Sequence, residues 1–263
     1  MNNCLRRIKR LEKLFSDNFY NGSGKTAFNI EEGNIPIMVS APHAINQFRD
    51  GKVKYADMYT GGIAKYLHEK TGCHVIYSCM YTESDPNYDE FEVNKYQQEL
   101  LEYVNKHNII LLLDIHGAAK EREYAVEMGT APTIEQLSEN SPENLLKHPN
   151  AEDPSLLQYK FIDDIIRIIL EDKFKNHSIT KKNIEKNILF YAGDQNTVTK
   201  SISERSKTAC IQLEINGEYR NPDNQNEFIS LVESLIAIIN FFSKIDWKER
   251  PQKIIEECIR SQG

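Results

Sequence analysis

The 263-residue chain has no apolar run approaching the ~20 residues that a membrane helix needs, so a membrane-spanning role is not expected. It is also short of positive charge. Against 32 Lys and Arg stand 39 Asp and Glu, a formal net charge of −7. That balance speaks against general binding to nucleic acid or to an anionic membrane. Cysteine is scarce: Cys4, Cys73, Cys79, Cys210 and Cys258 are odd in number and form no CxxC pair. They read as reduced thiols rather than a disulfide framework or zinc knuckle, with Cys73 and Cys210 packed in strands. Gly22-Ser-Gly-Lys25 lacks the spacing of a phosphate-cradling loop and follows no strand. There is no GxSxG nucleophile elbow. Residues 1–10 are basic but lack the apolar stretch of a signal peptide, so a cytoplasmic location is expected.

What is present is a 40% hydrophobic, 27% charged composition, suited to a soluble protein with a sizeable core. Short apolar runs at 35–40, 73–79, 109–115, 187–191 and 208–215 read as strands. Helical spacing appears over 2–17 (Leu5, Ile8, Leu11, Leu14, Phe15), 57–70 and 90–107. It returns over 156–174 (Leu157, Phe161, Ile165, Ile168, Ile169) and from Pro222 to Phe242. Strand, helix, strand, helix, strand over 35–115 implies parallel strands with crossover helices. The polar, Pro-containing stretch at about 131–155 reads as an insertion or lid on a single 1–263 domain, and the tail from Trp247 as a surface helix.

Two strands end in histidine. The run Ile35-Pro-Ile-Met-Val-Ser40 leads into Ala41-Pro42-His43, and Ile109-Ile-Leu-Leu-Leu113 into Asp114-Ile-His-Gly117. Open α/β sheets bind ligands just past the carboxyl ends of their strands. The pair therefore suggests a two-histidine metal site completed by a carboxylate. Asp57, at the start of a helix, and Asp114 both qualify; Asp57 also suits a helix N-cap, and Asp50 is a weaker choice. Asp114 shares a strand face with His116 and can orient its ring by accepting the N–H that does not face the metal. Glu214 alternates with Ile211, Leu213 and Ile215 on a buried strand, which suits a base acting on water at a metal. Asn216 follows on the same face. Arg220, and the loop residues Arg49 and Arg122, are groups for an anionic substrate.

Ser40-Ala-Pro-His43, Tyr55-Ala-Asp-Met-Tyr-Thr-Gly61, Asp114-Ile-His-Gly-Ala118, and Gln212-Leu-Glu-Ile-Asn216 with Tyr219-Arg220 together resemble the N-formylglutamate amidohydrolase-like family, which is related to zinc carboxypeptidases and aspartoacylases. The resemblance spans roughly residues 35–222. It implies a three-layer α/β/α sandwich around a mixed, mainly parallel sheet of the phosphorylase/hydrolase-like kind. It also implies a zinc-dependent amidase, with His43 and His116 as ligands, Glu214 as base and Arg220 at the substrate carboxylate. One position departs. The carboxypeptidase pattern has Glu three residues after the first His, where this chain has Asn46, so Asp57 or Asp114 must supply the carboxylate.

The resulting expectation is one zinc per chain, held by His43, Asp57 and His116. The substrate is a small acidic molecule such as an N-formyl or N-acyl amino acid, contacted by Arg49, Asn216 and Arg220. A carboxypeptidase-type metallopeptidase and a metal-free carboxylate-binding module are the rivals. No oligomeric state follows from the sequence.

Overall fold

A computed structural model describes residues 3–131, 154–177, 182–193 and 196–245. Positions 132–153 of the expected lid and the expected helix from Trp247 lie outside the described residues.

Helix α1 (Asn3–Ser16) buries Leu5, Ile8, Leu11 and Phe15, as their spacing predicts, while Leu14 turns out to solvent. It packs on α2 (Thr60–Thr71), whose Gly61 leaves room for the Phe15 ring. A buried carboxylate joins the two helices. Glu12 accepts from the Tyr59 and Gly62 amides at 2.7 and 2.8 Å and from the Tyr20 hydroxyl at 2.8 Å. Orphan amides at a helix start are thereby satisfied from a neighbouring helix. Full burial of each Leu or Phe in this layer contributes roughly 1.5–3 kcal/mol.

The seven-stranded sheet runs β1-β5-β2-β6-β9-β7-β8. Its centre is parallel: β5 (Cys73–Ser78), β2 (Ile35–Ala41), β6 (Leu111–Ala118) and β9 (Ala209–Asn216). β1 (Phe28–Glu31) pairs antiparallel with β5, and β7 (Tyr124–Gly129) antiparallel with β9. β8 (Asn183–Lys186) extends β7 in parallel. A separate two-stranded hairpin, β3 (Gln47–Arg49) and β4 (Lys52–Lys54), turns through Asp50 and Gly51. Both turn residues have positive φ, at 50° and 74°, the twist that suits a two-residue hairpin.

Alternation along the central strands sorts side chains to two faces. Ile37, Val39, Leu111, Leu113, Ile211 and Leu213 join α1, α2, α4 (Pro154–Asn176) and α6 (Gln225–Phe242) in the larger core. Met38, Ile76, Leu112 and Cys210 point the other way, onto α3 (Lys95–Lys106) and α5 (Val198–Arg205). Helices on both faces of a mixed sheet make the expected α/β/α sandwich. Asp114, His116, Gln212 and Glu214 fall on the second face, beyond the end of its apolar cluster.

The chain steps from β2 to β5 on one side and then returns to β6 on the other. The loops leaving β2 and β6 diverge there, which opens a crevice at the carboxyl ends.

Two local expectations are corrected. No strand forms over 187–191: Ile188 and Leu189 are exposed, and the strand of this region is β8, one step earlier. In α4 the buried row is Ile162, Ile166, Leu170 and Phe174, while Ile168 faces solvent. Two adjacent rows of that helix are apolar, and spacing alone does not choose between them.

Candidate metal centre

His43 follows Pro42 just beyond β2, and His116 lies near the end of β6. Both are buried. Their Nδ1 atoms stand 3.2 Å apart. Asp57 Oδ2 lies 3.3 Å from the first and 3.6 Å from the second. Ligand atoms held tetrahedrally at roughly 2.0–2.1 Å from an ion are about 3.4 Å apart. The three atoms thus have the spacing of a metal triad, and the group His43, Asp57 and His116 is the one among the described residues able to hold an ion.

Ring orientation supports the same reading. His116 Nε2 sits 3.0 Å from Asp114 Oδ2, and His43 Nε2 sits 2.8 Å from Asp85 Oδ1. Each imidazole donates its Nε2–H to a fully buried carboxylate, which leaves the Nδ1 lone pair facing the other ring. Two lone pairs and a carboxylate oxygen at this spacing repel one another unless a proton or cation lies between them. Burial disfavours a charged His116, but Asp114, followed by Asp57 and Glu214, outweighs it and pushes its pKa up to about 10. Burial likewise works to raise Asp57, yet Lys54 and the two imidazoles hold it well below the ordinary carboxylate range. The site is built to contain positive charge.

Asp57 is not a helix cap. α2 starts at Thr60 after Tyr59, whose backbone is left-handed. The loop turns the Asp57 carboxylate inward, where it accepts from the Gly117 amide at 2.9 Å and from Lys54 Nζ at 3.1 Å. Asp50 instead sits in the hairpin turn, bonded to the Tyr88 hydroxyl.

Glu214 is in register with His116 on the neighbouring parallel strand, so the two share a face. Its Oε1 accepts from Gln212 Nε2 at 3.0 Å. Burial raises its pKa, against the opposing pull of His116. These groups open into a cavity of about 370 Å³ whose lining includes His43, Asp57, His116, Glu214, Arg49 and Arg122.

All three expected substrate contacts are engaged with groups of the protein itself. The Arg220 guanidinium is buried and donates to the carbonyls of Ile215, Met58 and Ala118 at 2.8, 2.5 and 3.0 Å. It lies against Gly117, where a Cβ would come within 2.5 Å of its Cζ, and it does not line the cavity. Asn216 is a staple: its Nδ2 donates to Lys120, Arg122 and Tyr124 carbonyls, and its Oδ1 accepts from Glu218 N. Arg49 reaches the cavity wall but forks onto Asp85, Nε at 2.7 Å and Nη2 at 2.5 Å. A chain from Arg49 through Asp85 to His43 results.

Asp85 was not found in the sequence. It lies in an irregular Ser-Asp-Pro-Asn loop, with no periodicity to mark it. Glu127 was missed too. Opposite Glu214 on β7, its Oε1 accepts from the amides of Ile188, Leu189 and Phe190 and pins that wall of the cavity. Asn46, at the departure from the carboxypeptidase pattern, holds loops together. It donates to the Phe19 and Tyr20 carbonyls of a left-handed turn and accepts from Ala56 N.

No family model matches the chain, and no curated protein matches it. Among solved structures, an N-formylglutamate amidohydrolase from Ralstonia eutropha aligns with a TM-score of 0.50 at 11% identity, over 82% of this chain and 98% of that one. A bacteriophage poly-gamma-glutamate hydrolase aligns with a TM-score of 0.45 at 14% identity, over 84% and 91%. A metallo-carboxypeptidase from Burkholderia cenocepacia aligns with a TM-score of 0.40 at 12% identity, over 83% and 58%. The first likeness shows a shared fold, the one that the sequence motifs implied.

Proposed function

We propose that the protein is a metal-dependent amidohydrolase that cleaves the amide bond of a small acidic substrate such as an N-formyl or N-acyl amino acid. The observation that carries this reading is the His43, Asp57 and His116 triad, with Glu214 beside it on the same face of one cavity. The family resemblance of the motifs points the same way.

The donor set, two imidazoles and one carboxylate, is one that zinc commonly takes. Held by His43, Asp57 and His116, such an ion would supply Lewis acidity, which would polarise the amide carbonyl and lower the pKa of an attacking water toward ~7. Asp114 and Asp85 fix the two rings so that both Nδ1 atoms stay available. Glu214 takes the proton of the water at its carboxylate and delivers it to the leaving nitrogen. Burial raises its pKa, so the group takes a proton more readily than an exposed carboxylate does. The buried setting strengthens each charge interaction.

The test is amine release by zinc-supplemented protein from a panel of N-formyl and N-acetyl amino acids, with longer peptides alongside. Release from N-acyl amino acids supports the reading. Faster cleavage of peptides makes the protein a carboxypeptidase-type enzyme. Binding with no cleavage makes it a carboxylate-binding module.

A further inference from the structure

Three lysine and arginine side chains line the cavity, and two are already committed. Arg49 forks onto Asp85, and Lys54 Nζ lies 3.1 Å from Asp57 Oδ1. Arg122 has no carboxylate within ion-pair distance among the described residues. Its guanidinium lies 5.5 Å over the Phe190 ring, a contact that orients it without neutralising it. The loop beneath it is tied to β9, because Asn216 Nδ2 donates to the Arg122 carbonyl at 3.0 Å and to the Lys120 and Tyr124 carbonyls at 3.4 and 3.0 Å.

Beside Arg122, residues 189–191 form an apolar wall. Leu189 is 54% exposed there, although three backbone amides of its segment are fixed on Glu127. An exposed leucine on a pinned backbone in a cavity lining is a surface ready to cover an apolar group. Elsewhere the lining presents acceptors: the Glu214 carboxylate and the buried Gln212 Oε1, which has no donor among the described residues. A second carboxylate on the substrate would face these groups with no unpaired arginine or lysine among the described lining residues to meet it.

We propose, resting on the amidohydrolase reading, that the substrate is an N-acyl amino acid with one carboxylate, held by Arg122, and an apolar side chain, laid on Leu189 and Phe190. Arg122 is then the residue that binds the anion and Leu189 the residue that selects the side chain. Acidic side chains such as that of glutamate are disfavoured.

The test is calorimetric binding of N-acetyl-L-leucine and N-acetyl-L-glutamate to the zinc-supplemented full chain, with amine release followed in parallel. N-acetyl-leucine is expected to bind about tenfold more tightly, the scale of burying one such side chain. Arg122→Gln should weaken both ligands about tenfold or more, and Leu189→Ser should erase most of the preference by weakening N-acetyl-leucine. Both positions are exposed, so the variants are expected to fold. Equal or tighter binding of N-acetyl-glutamate, or wild-type binding by Arg122→Gln, overturns the proposal. Leucine-selective binding without amine release leaves it standing and removes the amidohydrolase reading instead. Amine release that favours the glutamate compound removes this proposal alone.

Discussion

His116 and Glu214 occupy registered positions on adjacent parallel strands, so imidazole and carboxylate leave the sheet side by side from one face. The alignment follows from period-two alternation on β6 and β9, whose remaining residues on this face are apolar or hydrogen-bonded. A carboxylate placed this way owes nothing to loop conformation.

Glu214→Gln keeps the shape of the site but cannot take a proton. Turnover should fall by about 10²- to 10⁴-fold, the usual worth of a positioned general base, with metal content unchanged. Steady-state rates together with elemental analysis check this. A variant retaining most of its rate would show that the base is another group.

Asp85→Asn removes the charge that holds His43 Nε2–H and frees Arg49. Metal affinity should drop about 10- to 100-fold, as for other carboxylates that orient a ligating histidine. Competition against a fluorescent chelator measures the change. Unaltered affinity would mean that the ring is fixed by packing alone.

Arg220→Met separates a structural arginine from a substrate contact. It leaves three carbonyl acceptors without their charged donor, at a cost of roughly 3 kcal/mol. Thermal melting should show a Tm lower by roughly 6 °C or more. The KM of the folded fraction should stay within a few-fold of wild type, whereas a large rise in KM would restore Arg220 to the substrate.

Glu12 gives a pH signature. Burial raises its pKa from 4.5 to about 7, against the hydrogen bonds from Tyr20, Tyr59 and Gly62. Between those values the folded chain holds more protons than the unfolded one, so this group makes stability fall as pH rises from 4.5 to 7. Glu12→Gln should remove that component, so the Tm difference between wild type and variant should shift in the variant's favour across the window. A pH-independent difference would show that Glu12 is ionised throughout.

Much of this was legible in the sequence because it sits on strands. His43, Asp114 and His116 follow apolar runs, and Glu214 alternates with apolar residues, so each is marked by its neighbours. Asp85 and Glu127 carry no such mark: the first lies in an irregular loop, the second on an antiparallel strand that spacing did not reveal. Ile188-Leu-Phe-Tyr191 misled in the opposite sense. It is as apolar as a strand, but its amides bond to Glu127 and its side chains face the cavity and solvent. Arg220 and Asn216 had the residue types of a binding site and serve as struts. Only the direction of their donors, toward backbone carbonyls, tells the two roles apart.

The central claim is that His43, Asp57 and His116 bind an ion, and metal content per chain tests it most directly. The measurement is elemental mass spectrometry on untagged protein purified without chelator, together with His43→Ala and His116→Ala. The account predicts about one zinc per wild-type chain and loss of zinc from both variants. Wild-type protein free of metal even after incubation with zinc would contradict it.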